Sequence, residues 1–290
     1  MAKPIITGLE THLPTTLWGS AVAFADGDRS KGFSETQQTC GSPLHGVEAF
    51  TLSSFFRSYL AIDIHQPLTA LDWLTLPEAR LLSVTSGAVF HDDLGLQKLR
   101  ERLSYYPHEV WLHLMACQWV RIAQEEAFFG RCAEVGDQLG AQILLARLLK
   151  ELMRLCFLQS QQYAPYAKWF GSAFARLDSG AALNSLFLKA LRESSYAAQE
   201  QALGHIYRHV AVQHNALQLT EALPIEPSTY HDRPYQVIHG ALFARALKHQ
   251  IQDPLLSRLK LDIGGVNQFI DSTDILTRPY YCRDLQRILQ

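Results

Sequence analysis

Between Pro107 and Ser160 two apolar stretches carry polar and charged residues at helical intervals, and no other feature constrains the chain as much. In the first, Gln118, Arg121 and Glu125 stand at i, i+3 and i+7; in the second, Arg147, Glu151 and Arg154 stand at i, i+4 and i+7. Each triplet shares one face of an α-helix. A charge is too costly to leave alone in an apolar interior, so these groups face solvent, pair with one another or line a cleft. In the paired arrangement they are salt bridges on two helices with exposed outer faces. In the cleft arrangement Arg121, Arg147 and Arg154 present guanidinium forks to a phosphate or carboxylate, and Glu125, Glu126 and Glu151 orient them or act as bases.

Composition narrows the function classes. The 290 residues are 48% apolar and 19% charged, the profile of a packed chain rather than a disordered one. Twenty-six Lys and Arg against 28 Asp and Glu leave a net charge of −2. That balance argues against a dedicated nucleic-acid binder working through a net positive field. Five cysteines at 40, 117, 132, 156 and 282 form no CxxC, so neither a disulfide framework nor a zinc knuckle fits. Three of them fall in apolar helical segments and are expected as small buried thiols. The most apolar stretch, Val110 to Ala123, is interrupted by His113, Gln118 and Arg121 and is shorter than the ~20 residues of a membrane span. The opening MAKPIITGLETHLP lacks an apolar run of signal-peptide length. The expectation is a soluble, cytoplasmic protein with no membrane partner.

Composition shifts near residue 66, which predicts an α+β chain: a small α/β part over 1–66 and an all-helical bundle over 67–290. In the first part Leu17 to Ala25 and His45 to Leu52 read as strands, and Ser53 or Ser54 caps a helix over SFFRSYL. In the second, Pro107 starts a helix that reaches about Phe129. Further helices are predicted over 138–160, from Pro165 through Phe174, over 196–219, and over 234–252 with Pro234 at the start.

Other clusters carry possible chemistry. Tyr163, Tyr166, Lys168 and Trp169 place two phenols, an ammonium and an indole within seven residues. At a helix start they could stack a base or sugar and reach a phosphate; equally, they could plug the core while the lysine stem runs over apolar surface. His205 and His209 at i, i+4 are two metal ligands without a third, and read better as a surface pair. His91-Asp92-Asp93 reads as a capped turn before a helix near Leu96, and Asn267, Asp271 and Asp274 as capping residues. No Walker loop, GxGxxG or GxSxG is present.

The block WVRIAQEEAFFGRCAEVGDQLGAQILLARLLKELMRLCFLQSQQYAPYAKWFGSAFARL (119–177) resembles the bacterial proteins of domain of unknown function 4037, relatives of the nucleotidyltransferase superfamily. DWLTLPEARLLSVTSGAVFHDDLG (72–95), HNALQLT (214–220) and DSTDIL (271–276) extend the likeness over most of 44–276. The resemblance implies a small nucleotidyltransferase-like mixed sheet, then a helical domain similar to that of aminoglycoside nucleotidyltransferases. In that superfamily a Gly-Ser turn precedes a carboxylate-x-carboxylate pair, and a third carboxylate comes from a later strand. Together they hold two divalent metals, such as Mg²⁺, on a nucleoside triphosphate.

Here the resemblance breaks. The early Asp-His-Asp-Trp stretch of the family is absent, which leaves the sheet incomplete. Glu48 matches the third carboxylate, but one carboxylate cannot hold two hard cations. Gly19-Ser20 followed by Asp26-Gly27-Asp28 has the right order, but the spacing is short and the pair reads as a hairpin turn. Two functions follow as expectations. One is a nucleotidyltransferase-type protein, inactive alone, whose helical cleft binds a nucleotide or acceptor through Arg121, Glu125, Glu126, Arg147, Glu151, Arg154, Tyr163, Tyr166 and Lys168. The other is a non-catalytic binding or partner module. Mg²⁺ and a nucleoside triphosphate are implied only if a separate chain or further sequence supplies the missing carboxylates. The open sheet edge suggests a homodimer or a separate completing chain.

Overall fold

The computed structural model describes residues 48–260 and 262–289, together with Thr7, Gly8, His12, Pro14, Thr16, Leu17, Ser20 and Ala21. The chain divides into two compact units, Met1–Ser58 and Tyr59–Gln290.

In the first unit, β1 (Thr16–Leu17) and β2 (Ser20–Ala21) pair antiparallel, Thr16 opposite Ala21 and Leu17 opposite Ser20. Among the described residues this short ladder stands where one continuous strand from Leu17 and a mixed sheet were expected. Gly19 and Asp26–Asp28 lie outside the described residues, as does Cys40. The predicted strand through Leu52 is also corrected: residues 48–51 have no regular structure, and helix α1 (Leu52–Leu60) begins at once. The start signal is local. Thr51 Oγ1 accepts the Ser54 backbone N–H at 3.1 Å, and the Phe50 ring meets Phe55 at 6.0 Å. A capping hydroxyl with an aromatic staple around it sets a helix entry. Thr51, rather than Ser53 or Ser54, is therefore the cap.

The second unit opens with α2 (Ala70–Leu74), where Thr69 and Asp72 form a capping box. It continues through α3 (Glu78–Thr85) and α4 (Leu96–Arg102). Asp92 carboxylate oxygens accept the Leu96 and Gln97 N–H groups at 2.7 and 2.8 Å, the capped turn expected there. Arg100 on α4 is buried and donates to the carbonyls of Val84, Thr85, Ser86 and Gly87, tying down the end of α3.

Three long helices organise the rest. Helix α5 (His108–Glu125) is buried without interruption from Val110 to Trp119. A helix apolar on every side belongs at the centre of its unit. It packs on α7 (Gln138–Gln159) and on α10 (Gly240–Lys248), where Trp119 stacks on Phe243 at 4.2 Å. Helix α6 (Phe128–Glu134) lies against α7, and α8 (Gly180–Arg192) against α9 (Tyr196–Ala216).

Several predicted boundaries move. The first long helix breaks at Glu126–Ala127 rather than running to Phe129. The segment after Pro165 is a 3₁₀ turn (Ala167–Trp169) and one short helix (Phe170–Phe174). The fourth helix stops at Ala216. The helix predicted from Pro234 is instead a hairpin followed by α10. The hairpin pairs β3 (Ser228–Thr229) with β4 (Gln236–Val237) antiparallel, so 67–290 is not all helical. Its cause is burial: Tyr235 and Val237 pack with Ala127, and Gly130 leaves space for the Tyr235 ring, which a Cβ there would meet at 2.3 Å. The strands remain too small to change the α+β class.

Candidate functional site

The charged triplets of α5 and α7 come together where those helices pack. Arg121 donates from Nε to Glu151 Oε2 and from Nη2 to Glu151 Oε1, both at 3.0 Å. Gln118 Nε2 donates to Glu151 Oε2 at 2.7 Å and to its backbone oxygen at 3.0 Å. Arg147 is paired with Glu125. Arg154 Nη2 lies 3.3 Å from Glu78 Oε1 on α3, and Glu78 Oε2 accepts the Ala164 N–H at 3.1 Å. One turn from Arg147, Lys150 Nζ donates to Asp271 Oδ1 at 2.7 Å. The triplets thus form a ladder of ion pairs.

The rungs differ in access to water. The side chains of Arg154 and Glu78 are 12% and 10% exposed, so that pair is interior. Arg121 at 28% over Glu151 at 8% is intermediate. Arg147 at 56% and Lys150 at 45% face outward, and Asp271 at 87% is almost free in water. Burial alone would raise Glu151, but the Arg121 guanidinium and the Gln118 amide outweigh it and hold the carboxyl below the ordinary range. Asp271 is also held low, first by Lys150 and then, against partial burial, by Arg154 and Arg121. Asp271 therefore sits in the field of three cations while touching one.

The segment after Gly264 completes this face. Asn267 Oδ1 accepts the Glu78 N–H at 2.9 Å. Gln268 Nε2 donates to Leu114 O and Gln118 Oε1, both at 2.9 Å, while its Oε1 accepts the Gly265 N–H. Asn267 and Asp271 are thus not merely local caps; each joins α3 or α7 to the C-terminal segment.

Other predicted residues lie elsewhere. Glu126 orients no arginine among the described residues: it is buried at the α5–α6 break, where its oxygens accept the Ile238 N–H at 3.0 Å and the Gly240 N–H at 3.2 Å. Burial, opposed by these bonds, pushes its carboxyl up to about 7. Tyr163 is buried and donates its hydroxyl to Leu103 O at 3.0 Å, within a cluster with Tyr105 and Tyr106. Burial first, then the nearby Glu78 charge, raises all three phenols. Tyr163 is therefore the core plug of its cluster. Tyr166 and Lys168 are exposed, with Lys168 Nζ 5.3 Å from the Trp169 ring centre. Glu48 is an exposed residue of the first unit.

Among the described residues no three His, Cys, Asp or Glu side chains stand close enough to hold a metal ion. His205 is exposed and His209 half-buried on α9. Cys117, Cys156 and Cys282 are buried free thiols, and Cys132 is partly buried. No described helix is long and apolar enough to cross a membrane.

Sequence reasoning missed Glu78, Lys150 and Gln268. Glu78 stands alone in LPEAR, and its partner Arg154 is 76 residues away. Lys150 lies between Arg147 and Arg154 at i+3 of the same face, which was the signal to include it.

Residues 73–170 match the family model described as domain of unknown function (DUF4037). The matched stretch takes in Glu78, both ladder helices and the Tyr163–Lys168 segment. No curated protein and no solved structure matches the chain.

Proposed function

We propose that the chain is a nucleotidyltransferase-related binding protein whose helical unit takes a phosphate-bearing ligand, a nucleotide or its acceptor, on the outer edge of the α5–α7 ladder. One observation carries this reading: Arg147 and Lys150 face water one turn apart on α7, and among the described residues Lys150 pairs with Asp271, itself 87% exposed. An exposed ion pair contributes about 0.2–1 kcal/mol, so a polyanion that brings more charge can displace Asp271. Arg121 and Arg154, fixed by Glu151 and Glu78, then act through their field rather than by changing partners. Guanidinium and ammonium groups are the donors that bind phosphate oxygens best.

The described residues do not suit a pair of Mg²⁺ ions, so no transfer step is derived from them. An enzyme reading requires carboxylates beyond the described set, from this chain, a second copy or a separate protein. The partner-module reading is favoured by a different observation: every ladder cation already has a carboxylate, which leaves the face balanced.

Calorimetric titration with each nucleoside triphosphate, with and without Mg²⁺, separates these readings. The binding reading expects saturable heat with at least one of them. Arg147→Ala and Lys150→Ala should each weaken it about tenfold, the loss of one charge-assisted bond, without lowering the melting temperature. No heat with any triphosphate leaves the partner module standing.

A further inference from the structure

Five aromatic residues fall between Tyr163 and Phe174, and the core takes three of them. Tyr163 and Phe174 are buried, and Phe170 stacks on Phe157 of α7 at 5.2 Å. Tyr166 and Trp169 stay outside, keeping 42% and 56% of their surface. Among the described residues neither ring meets another aromatic ring, and the Tyr166 hydroxyl has no hydrogen-bond partner. Large aromatic side chains gain most from burial. Trp73, Trp111 and Trp119 obey this, none more than 5% exposed, so Trp169 departs from the pattern of the other described indoles. An exposed large apolar group of this kind marks a contact surface more often than an exposed leucine does.

The turn that carries the pair is held firmly. Glu78 Oε2 accepts the Ala164 N–H at 3.1 Å, Pro165 has a locked φ, and the Trp169 N–H donates to Tyr166 O at 2.9 Å. With the inner rings anchored, the outer two are presented without first having to be ordered by a ligand. A Cβ at Gly171 would meet nothing within 4 Å, so the approach is open. Lys168 lies between the two rings in sequence, with Nζ 5.3 Å from the Trp169 ring centre. Arg147 and Lys150 each have a carboxylate, whereas Lys168 pairs with none among the described residues. Two exposed rings and an ammonium without a counter-charge thus share one turn.

We infer that this turn binds a planar aromatic ring that carries an anionic group, the nucleoside monophosphate class. The ring lies against Trp169 and Tyr166, and the phosphate oxygens take the Lys168 ammonium. Stacking on an aromatic side chain accepts any base, because every base has a π-face. A sugar phosphate would answer the ammonium and leave the rings bare. An apolar protein surface would cover the rings and leave the ammonium unanswered, and a cation is repelled by Lys168. The inference does not rest on the ladder: Arg147→Ala should weaken a triphosphate there and leave a monophosphate on Trp169 unchanged, so the two sites can fail separately.

The test follows the Trp169 indole resonance in a ¹H–¹⁵N spectrum, assigned with Trp169→Phe. Adenosine monophosphate, adenosine and ribose phosphate present the ring with its charge, the ring alone and the charge without a planar ring. The monophosphate should move the resonance to saturation, with adenosine about tenfold weaker for want of the charge-assisted bond and ribose phosphate inert. Lys168→Gln should bring the monophosphate to the level of adenosine and leave adenosine itself unchanged. Trp169→Ala, read by calorimetric titration, should weaken the monophosphate about tenfold or more, the worth of one stacked base. Should either variant fail to fold, the three-probe comparison on the unaltered chain decides alone. A resonance that ignores the monophosphate, follows ribose phosphate equally well, or shifts with protein concentration alone overturns the inference, the last because the rings then meet a second copy of the chain.

Discussion

Replacing Glu151 with glutamine probes the centre of the ladder. The carboxylate is 8% exposed and takes three side-chain donors, two from Arg121 and one from Gln118. A glutamine offers one oxygen and one NH₂ in the same volume, so wherever it turns, its NH₂ faces another donor. Breaking a fully buried pair costs about 3–5 kcal/mol. Arg121 keeps 28% of its surface and can recruit water, which brings the expected loss to about 2 kcal/mol. For a folding unit of this size that is a fall of about 4–8 °C in melting temperature. The pH dependence is fixed in sign. The folded carboxyl lies below its ordinary 4.5, so its contribution is complete above that value and disappears as pH falls through the lower folded value. Calorimetric melts of both proteins should therefore differ fully at pH 7 and converge progressively below about pH 4.5. Equal melting temperatures at pH 7, or a gap that widens in acid, would refute the reasoning.

Three further changes test other parts of the fold. Glu126→Gln should remove a component of stability that declines as pH rises from the ordinary 4.5 to about 7, because the folded carboxyl holds its proton longer than the unfolded one. His113 and His214, held near 4 by burial, give the opposite slope in both proteins, so urea midpoints for wild type and variant must be compared by difference, and parallel curves would contradict the assignment. Arg100→Met leaves four backbone carbonyls without their donor and should cost about 2–4 kcal/mol in urea unfolding. In Gly240→Ala the new Cβ meets Trp119 O at 2.9 Å and Ala123 N at 3.3 Å, backbone atoms that cannot turn away. A loss of about 1–3 kcal/mol is expected in calorimetric melts, and a gain would show that α10 can slide on α5.

Helix α7, predicted over 138–160, and most of α5, which Pro107 precedes, were legible from their periods; the Asp137 side chain that caps α7, accepting the Gly140 N–H at 2.8 Å, was not read in advance. The hairpin of β3 and β4 was not, since it depends on a ring filling the space over a glycine more than 100 residues earlier, and Pro234 gave a misleading helix-start signal. The charged triplets were correctly placed on shared faces, but spacing within a helix cannot name a partner on another. Glu126 illustrates the limit. It adjoins Glu125 in sequence, yet the break between α5 and α6 aims it at the start of α10. Glu78 became visible as part of the site only when α3 was seen beside Arg154.

The ammonium of Lys150 reports most directly on whether the ladder's outer edge accepts phosphate. Its side-chain ¹⁵Nζ resonance, assigned with Lys150→Met, can be followed while a nucleoside triphosphate is added. Exchange of Asp271 for phosphate oxygens should move the signal to a plateau, and Arg147→Ala should push that plateau to higher concentration. A signal that stays with Asp271 throughout would contradict the phosphate site and leave the ladder as a brace between helices.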